Sequence, residues 1–453
     1  MSRPNSEQLD HSLGFATKLL CSGVFVGGRD AKDFVQNDLH APYGFDPDEL
    51  DVEIDRQNAR ATLTLPDGQS RTAVYHPGLG CTLLPGEESS VFFQPVEVCS
   101  ALPDPETMDW PMGDRKAGES VPGGIDRDKL EAALGLAFDD SAHDMPQQAR
   151  AMVVLHGGQI VSERYAPGFT KDSRLVSWSM GKSITAALIG ILAGEGHFAL
   201  DDPAPIAAWR EPSDPRGEIT LAHLLRMSSG LKFERVEGDT QPDFFRSKND
   251  HNYIYFGAID AFEHSTSRPQ EHPPNTVWRY RNCDPLALGQ IVKQTVEALG
   301  EEYLTYPQRA LFDRIGIRNI VLEPDAWGNF VMTGFDHGTA RDWARFGQLH
   351  LQDGVWNGER ILPEGWVDFV HSPAPADPDH HYGGQFWLNA GGRYPSIPED
   401  AYWAGGARGQ VTMVIPSRNV VISRLGHSLN ADSFHSYMDR VVHDVLEAID
   451  PFG

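Results

Sequence analysis

The chain has 453 residues, a formal net charge of −26, and 40% hydrophobic and 23% charged residues, an ordinary globular composition with length for two or three structural units. So acidic a balance argues against nucleic acid or an anionic membrane as partner, and no run of about 18 apolar residues is present to span a bilayer. The polar first dozen residues, MSRPNSEQLDHS, lack the apolar core of a signal peptide, so a cytoplasmic location is expected, or a periplasmic one where a leader has been removed.

Residues 1–120 read as a turn-rich, strand-containing accessory region. ATLTL (61–65) and RTAVYH (71–76) flank Pro66-Asp67-Gly68, a hairpin signal. Cys21, Cys81, Cys99 and Cys283 are scattered without a CxxC pair. A disulfide framework is not expected at this size, and a single bridge, with Cys21 and Cys81 as candidates, is left open. Residues 101–124 are dense in Pro, Gly and charge and read as a linker, which starts the second unit at 121–453. There AMVVLH and QIVSERYA flank Gly157-Gly158, and QVTMVI and VVISRL flank Pro416-Ser417-Arg418-Asn419. Both pairs read as antiparallel strands with a buried face. Helical patterns occupy 183–194, 219–227, 285–298, 339–352 and 363–370. The expected class is therefore α/β (α+β): an antiparallel sheet made from both ends of the domain and flanked by helices, with an all-helical insertion at about 200–320.

The heptad SWSMGKS (177–183) carries three rival chemistries. A phosphate loop needs glycine five residues before its Gly-Lys, and Val176 stands there. A hydrolase elbow needs glycine two residues before its serine, and Ser177 stands there. The His156-Gly157-Gly158 run that imitates an oxyanion loop belongs to a hairpin turn. A serine–lysine pair fits better, because residues three apart face one side of a helix. The following SITAALIGILAGEG is apolar nearly all round, hence buried. A lysine at the head of a buried helix is desolvated and can serve as a base, and the helix N-terminus favours negative charge near the serine. Ser229 and Lys232 repeat the spacing, but their intervening glycine marks a helix end.

RLVSWSMGKSITAALIGILAGEGHFALDDPAP resembles the serine-motif region of the serine β-lactamase and penicillin-binding-protein superfamily. More narrowly it is similar to the class C β-lactamase-like hydrolases, the family VIII esterases and 6-aminohexanoate-dimer hydrolases. ITLAHLLRMSSGL (219–231), WRYRNCDPLALGQIV (278–292), TARDWARFGQLHLQDGVWNGERILPEGWV (339–367) and AYWAGGARGQVTMVIPSRNVVISRLG (401–426) follow in the family's order, so the resemblance covers roughly 145–450. It implies a β-lactamase/transpeptidase-like fold, with Ser179 as acylated nucleophile and Lys182 as its base. The Tyr-x-Asn motif falls on Tyr280-Arg281-Asn282, where Tyr280 shuttles protons and Asn282 holds the lysine or a substrate carbonyl. The third motif departs from the β-lactamase pattern. Trp403-Ala404-Gly405-Gly406-Ala407-Arg408-Gly409-Gln410 has no lysine or histidine where that pattern places a cation, which shifts the expectation from antibiotics towards small esters or amides. The amides of Ser179 and Ala407 would form the oxyanion hole, with Gly406 the alternative.

Tyr255 in HNYIYF (251–256), Trp387 and Trp403 are candidate pocket residues, with packing an equal alternative. Asp377, Asp379, His380 and His381 lack the spacing of a ligand set and read as a solvated loop. No metal and no cofactor is expected, and the partner is a small ester or amide, with a homodimer left open. Two rivals remain: a β-lactamase or D-amino-acid peptidase on the same fold, and a ligand sensor that is acylated without turnover.

Overall fold

The computed structural model describes residues 6–39, 46–86, 88–116, 124–234 and 249–449. Its centre is a six-stranded sheet in the order Trp387–Leu388, Tyr402–Gly406, Gln410–Ile415, Val420–Gly426, Ala149–His156 and Gln159–Tyr165, antiparallel throughout. The two hairpins read from the sequence thus meet, Val421 opposite Leu155, and the sheet is built from both ends of the domain.

Side chains alternate across it with the period of a strand. Ala151, Val153 and Leu155 join the core on one face, and Met152 and Val154 the core on the other. Strands buried at nearly every position need cover on both sides. Helix Ala340–Leu351 packs on one face, and helices Arg127–Ala137 and Ala431–Ile449 pair across the other. The C-terminal helix was absent from the sequence reading, although Phe434, Tyr437, Met438, Val441, Val442, Val445 and Leu446 bury one helical stripe.

The other expected helices appear as Gly181–Gly194, Leu221–Leu225, Cys283–Ala298, Ala340–Leu351 and Trp366–His371. Between 200 and 320 the described segments are helices and turns apart from isolated bridges. Residues 181–192 are all buried, with Cys283–Ala298 packed alongside.

The N-terminal region forms its own four-stranded sheet, Asp51–Asp55, Arg60–Thr64, Ser70–His76 and Gly80–Leu83, on which helix Ser6–Cys21 lies. That helix is buried on every side over residues 11–21, which erases the periodicity that would have revealed it. Cys21 and Cys81 are disulfide-bonded, the pairing left open above. Beside the bridge Lys18 Nζ lies 2.9 Å from Glu323 Oε2, both buried. Glu323 Oε1 accepts from Ser22 Oγ at 2.7 Å and from the Cys81 amide at 2.8 Å.

The expected linker is not free chain over its described part. Trp110 is buried and donates from Nε1 to the Gly158 carbonyl at 2.8 Å. Asp114 bonds Arg345 at 2.7 Å and also lies near Arg341 and Lys171. Asp114 alone among the charged residues of the described part is buried, paired against helix Ala340–Leu351, while Asp104, Glu106, Asp109, Arg115 and Lys116 are exposed; residues 117–123 fall outside the described residues.

Candidate active site

Ser179 lies in a 3₁₀ turn, Trp178–Met180, that runs into helix Gly181–Gly194. Trp178 has φ +51°, rare for a residue with a side chain, and its ring packs on Phe15 and Phe335. The Ser177 amide bonds the Asp336 carbonyl at 2.8 Å. The turn is therefore fixed from two sides.

Lys182 Nζ donates to Ser179 Oγ at 2.9 Å and lies 3.3 Å from the Thr333 carbonyl, which also accepts from Ser179 Oγ at 3.2 Å. Lys182 is 1% exposed, and burial lowers its ammonium to about 7, against the opposing pull of Asp336. Asp336 is fully buried, and neither carboxylate oxygen has a hydrogen-bond partner among the described residues. Burial holds its carboxyl well above the ordinary carboxylate range. A Cβ on Gly181 would sit 2.4 Å from Asp336 Oδ1. The glycine that imitated a phosphate loop is there to let this carboxyl approach the helix start.

Tyr280 stands over the pair, its ring centroid 4.9 Å from Lys182 Nζ. Trp387 lies against it at 5.0 Å and Tyr382 meets it edge-on at 5.7 Å. Burial among these rings pushes the Tyr280 phenol up, so it stays protonated at neutral pH.

Asn282 does not hold the lysine. Its Nδ2 donates to the His251 carbonyl at 2.7 Å and to the Tyr255 hydroxyl at 3.0 Å. Tyr255 in turn donates to the Thr333 carbonyl at 2.6 Å. Tyr255 is thus a brace behind the lysine as well as part of the cavity wall. The shared Thr333 carbonyl and the Asp336 carboxyl were both missed from sequence. The first is a backbone atom with no residue signature; the second is one aspartate in GFDHG, with no partner spacing to single it out.

Strand Tyr402–Gly406 runs beside the Ser179 turn. A Cβ on Gly406 would come within 2.1 Å of the Ser177 carbonyl, so only glycine allows the approach. Ala407 follows it, exposed to the cavity, in a turn where Arg408 has φ +62° and Gly409 φ +79°. Gln410 fixes that turn. Its Nε2 donates to the carbonyls of Ala407, Arg408 and Gly426 at 2.8–3.1 Å.

Ser179, Tyr280, Asn282, Tyr255, Trp387, Trp403, Gly406 and Ala407 line one cavity of about 460 Å³. Phe15, Leu19, Ser22, Gly23 and Phe34 line it too, so the N-terminal region forms one of its walls. Ser229 and Lys232 lie apart: Ser229 Oγ donates to Asp284 at 2.7 Å, and exposed Lys232 pairs with Glu234. The 377–381 loop is less solvated than expected. Asp377 is buried and accepts from the amides of Asp379, His381 and Tyr382.

An antiparallel sheet with a helical insertion, and a serine–lysine turn facing its edge region, is the arrangement of the β-lactamase-like hydrolases. Residues 141–447 match the family model described as Beta-lactamase, and the chain belongs to that family of hydrolases. It is 24% identical over 328 residues to the 6-aminohexanoate-dimer hydrolase of Paenarthrobacter ureafaciens, covering 66% of this chain and 78% of the relative. A Bacillus anthracis structure assigned as a 6-aminohexanoate-dimer hydrolase superposes with a TM-score of 0.56 at 22% identity, covering 79% of this chain and 88% of its own. A family VIII carboxylesterase does so at 0.53 and 15% identity, covering 73% and 99%. No helix among the described residues is long and apolar enough to cross a membrane.

Proposed function

We propose that this chain is a serine hydrolase that cleaves small ester or amide bonds through an acyl-enzyme on Ser179. The observation that carries the reading is the buried Lys182 amine 2.9 Å from Ser179 Oγ, its ammonium lowered to about 7. A serine hydroxyl in contact with a neutral amine is an activated nucleophile. With the hydroxyl hydrogen turned toward the amine lone pair, Lys182 takes the proton as Oγ attacks the substrate carbonyl. The amides of Ser179 and Ala407 receive the oxyanion, each contributing about 3 kcal/mol in sites of this kind. Tyr280, which burial keeps protonated, passes its proton to the leaving group and recovers one from Lys182, and water that gives its proton to the freed Lys182 then releases the acyl group. Asn282 and Tyr255 position the lysine through the Thr333 carbonyl.

The third motif supports an ester or linear amide over a β-lactam, because Gly405-Gly406-Ala407 carries no lysine or histidine. Purified protein and its Ser179→Ala variant are to be incubated with 4-nitrophenyl esters, a chromogenic cephalosporin and a linear amide dimer. Ester or amide turnover that vanishes in Ser179→Ala supports the reading. Identical behaviour of the two proteins on all three substrates ends it. Cephalosporin turnover moves the assignment to a β-lactamase, and fluorophosphonate labelling of Ser179 without turnover moves it to an acylated sensor.

A further inference from the structure

The cavity beside Ser179 has a wall that lies outside the family match. The Beta-lactamase model spans residues 141–447, whereas Phe15, Leu19, Gly23 and Phe34 come from the N-terminal region and line the cavity. Phe15, Leu19 and Gly23 follow one another at intervals of four, so they share one helical face. From Phe15 to Gly23 that face rises about 12 Å. It starts next to the nucleophile, where the Phe15 ring stacks on Trp178 at 5.9 Å and meets Tyr255 edge-on at 6.2 Å. At its other end a Cβ on Gly23 would sit 2.3 Å from Phe34 Cε2, so the Phe34 ring takes the place of a side chain there.

This wall is apolar and fixed. Phe15, Leu19 and Phe34 are buried, and Leu175 and Val176 of the catalytic domain line the same cavity. The Cys21–Cys81 bridge and the Lys18–Glu323 ion pair tie down the helix that carries it, so the surface is formed before a ligand arrives. The charges near Phe34 are matched among themselves. Arg29 lies over the Phe34 ring at 5.7 Å and pairs with Asp33 at 2.5 Å and Asp38 at 3.2 Å, while Arg150 pairs with Asp38 at 2.6 Å. Paired groups offer little to a polar ligand, whereas an apolar chain laid along this face gains by leaving water.

We infer, resting on the Ser179 hydrolase reading, that the acyl part of the substrate is an apolar chain of medium length, and that the helix face of Phe15, Leu19 and Gly23 selects it. Tyr280, which serves the leaving group, packs instead against Trp387 and Tyr382. The two clusters of rings therefore divide the substrate at its scissile bond, with the leaving group beside Tyr280 and the acyl chain beside Trp178 and Phe15. An apolar chain needs no counter-charge, which agrees with a third motif that carries no lysine or histidine.

Two series of esters test this. 4-Nitrophenyl acetate, butanoate, hexanoate and octanoate lengthen the acyl part, and ethyl, butyl and hexyl acetate lengthen the alcohol. Along the first series kcat/KM is expected to rise about fourfold per methylene, and along the second to stay level. Leu19→Trp puts a larger side chain into the cavity and is expected to lower the octanoate-to-acetate ratio by about tenfold or more, the worth of two buried methylenes. Phe34→Leu opens the closed end and is expected to raise the decanoate-to-octanoate ratio. Thermal unfolding establishes that each variant is folded before its ratio is read; should Leu19→Trp not fold, the wild-type series and Phe34→Leu decide. A first series that is flat or falls, a rise along the alcohol series instead, or ratios that the folded variants leave in place overturn the inference. If the Ser179 reading itself fails, Ser179→Ala hydrolyses every ester as wild type does, a result distinct from any change in chain-length preference.

Discussion

The Thr333 carbonyl receives Tyr255 Oη at 2.6 Å while lying 3.3 Å from Lys182 Nζ, so one backbone atom locates both the tyrosine brace and the lysine amine. Removing the brace by Tyr255→Phe leaves Asn282 Nδ2 with one acceptor fewer and the carbonyl with one donor fewer. The expected cost is about 1–2 kcal/mol of stability. Lys182 would then be less well placed, so kcat falls while KM is little changed. Thermal unfolding with steady-state kinetics checks both, and a variant altered only in KM contradicts this role.

The pH dependence has a definite sign. Lys182 acts as a base only when neutral, and burial lowers its ammonium to about 7. Below that pH the amine is charged, and kcat/KM should fall tenfold per unit; above it the rate should level. Tyr280 adds no alkaline limb near neutrality, because its phenol is pushed up and stays protonated. Lys182→Ala is expected to lose roughly 10²–10⁴-fold in kcat/KM and, with it, the inflection near neutrality. A profile flat from pH 5 to 9 on a non-ionising ester would sink the assignment of Lys182 as base.

Gly406 and the Ser177 carbonyl are too close for any side chain between them, the built Cβ coming within 2.1 Å. Gly406→Ala therefore forces the edge strand away from the nucleophile turn and separates the amides of Ser179 and Ala407. A displacement of about 1 Å at reacting groups costs about a hundredfold in rate. Both segments stay packed elsewhere, so kcat should drop much further than the melting temperature does. Fluorophosphonate labelling rates of Ser179 report the same loss independently of the substrate chosen.

Local signals were legible and long-range ones were not. The strands flanking 157–158 and 416–419 announced themselves by alternation and turn residues. Helix Gly181–Gly194 did so by an unbroken apolar run closed by glycines. Ser179 and Lys182 are three residues apart, so the sequence alone could pair them. Helix Ser6–Cys21 escaped because burial on all sides removes periodicity, and the docking of 101–116 escaped because it hangs on two residues, Trp110 and Asp114, among otherwise exposed charges. Asn282 is expected from the motif to hold Lys182 or a substrate carbonyl. Tyr255, 27 residues upstream, intervenes, and no spacing rule joins it to Thr333.

A buried ion pair ties the N-terminal wall to the rest of the chain. Lys18 and Glu323 are 3% and 0% exposed and lie 2.9 Å apart, with the Cys21–Cys81 bridge on one side and Phe335 under the ammonium at 4.5 Å. Lys18→Met leaves Glu323 buried with only Ser22 Oγ and the Cys81 amide as donors, an uncompensated charge that costs about 3–5 kcal/mol. Neutralising the acid as well, in Lys18→Met with Glu323→Gln, should recover part of that loss, because the dominant penalty is the unpaired charge rather than the missing contact. Phe15 and Leu19 lie on the same helix and line the cavity, so the single variant should also raise KM for the ester it hydrolyses, and the double variant should restore it in proportion to stability. Denaturant unfolding and KM measured across the three proteins check the coupling. A Lys18→Met protein as stable as wild type, or a double variant weaker than the single one, shows that this ion pair does not hold the wall in place.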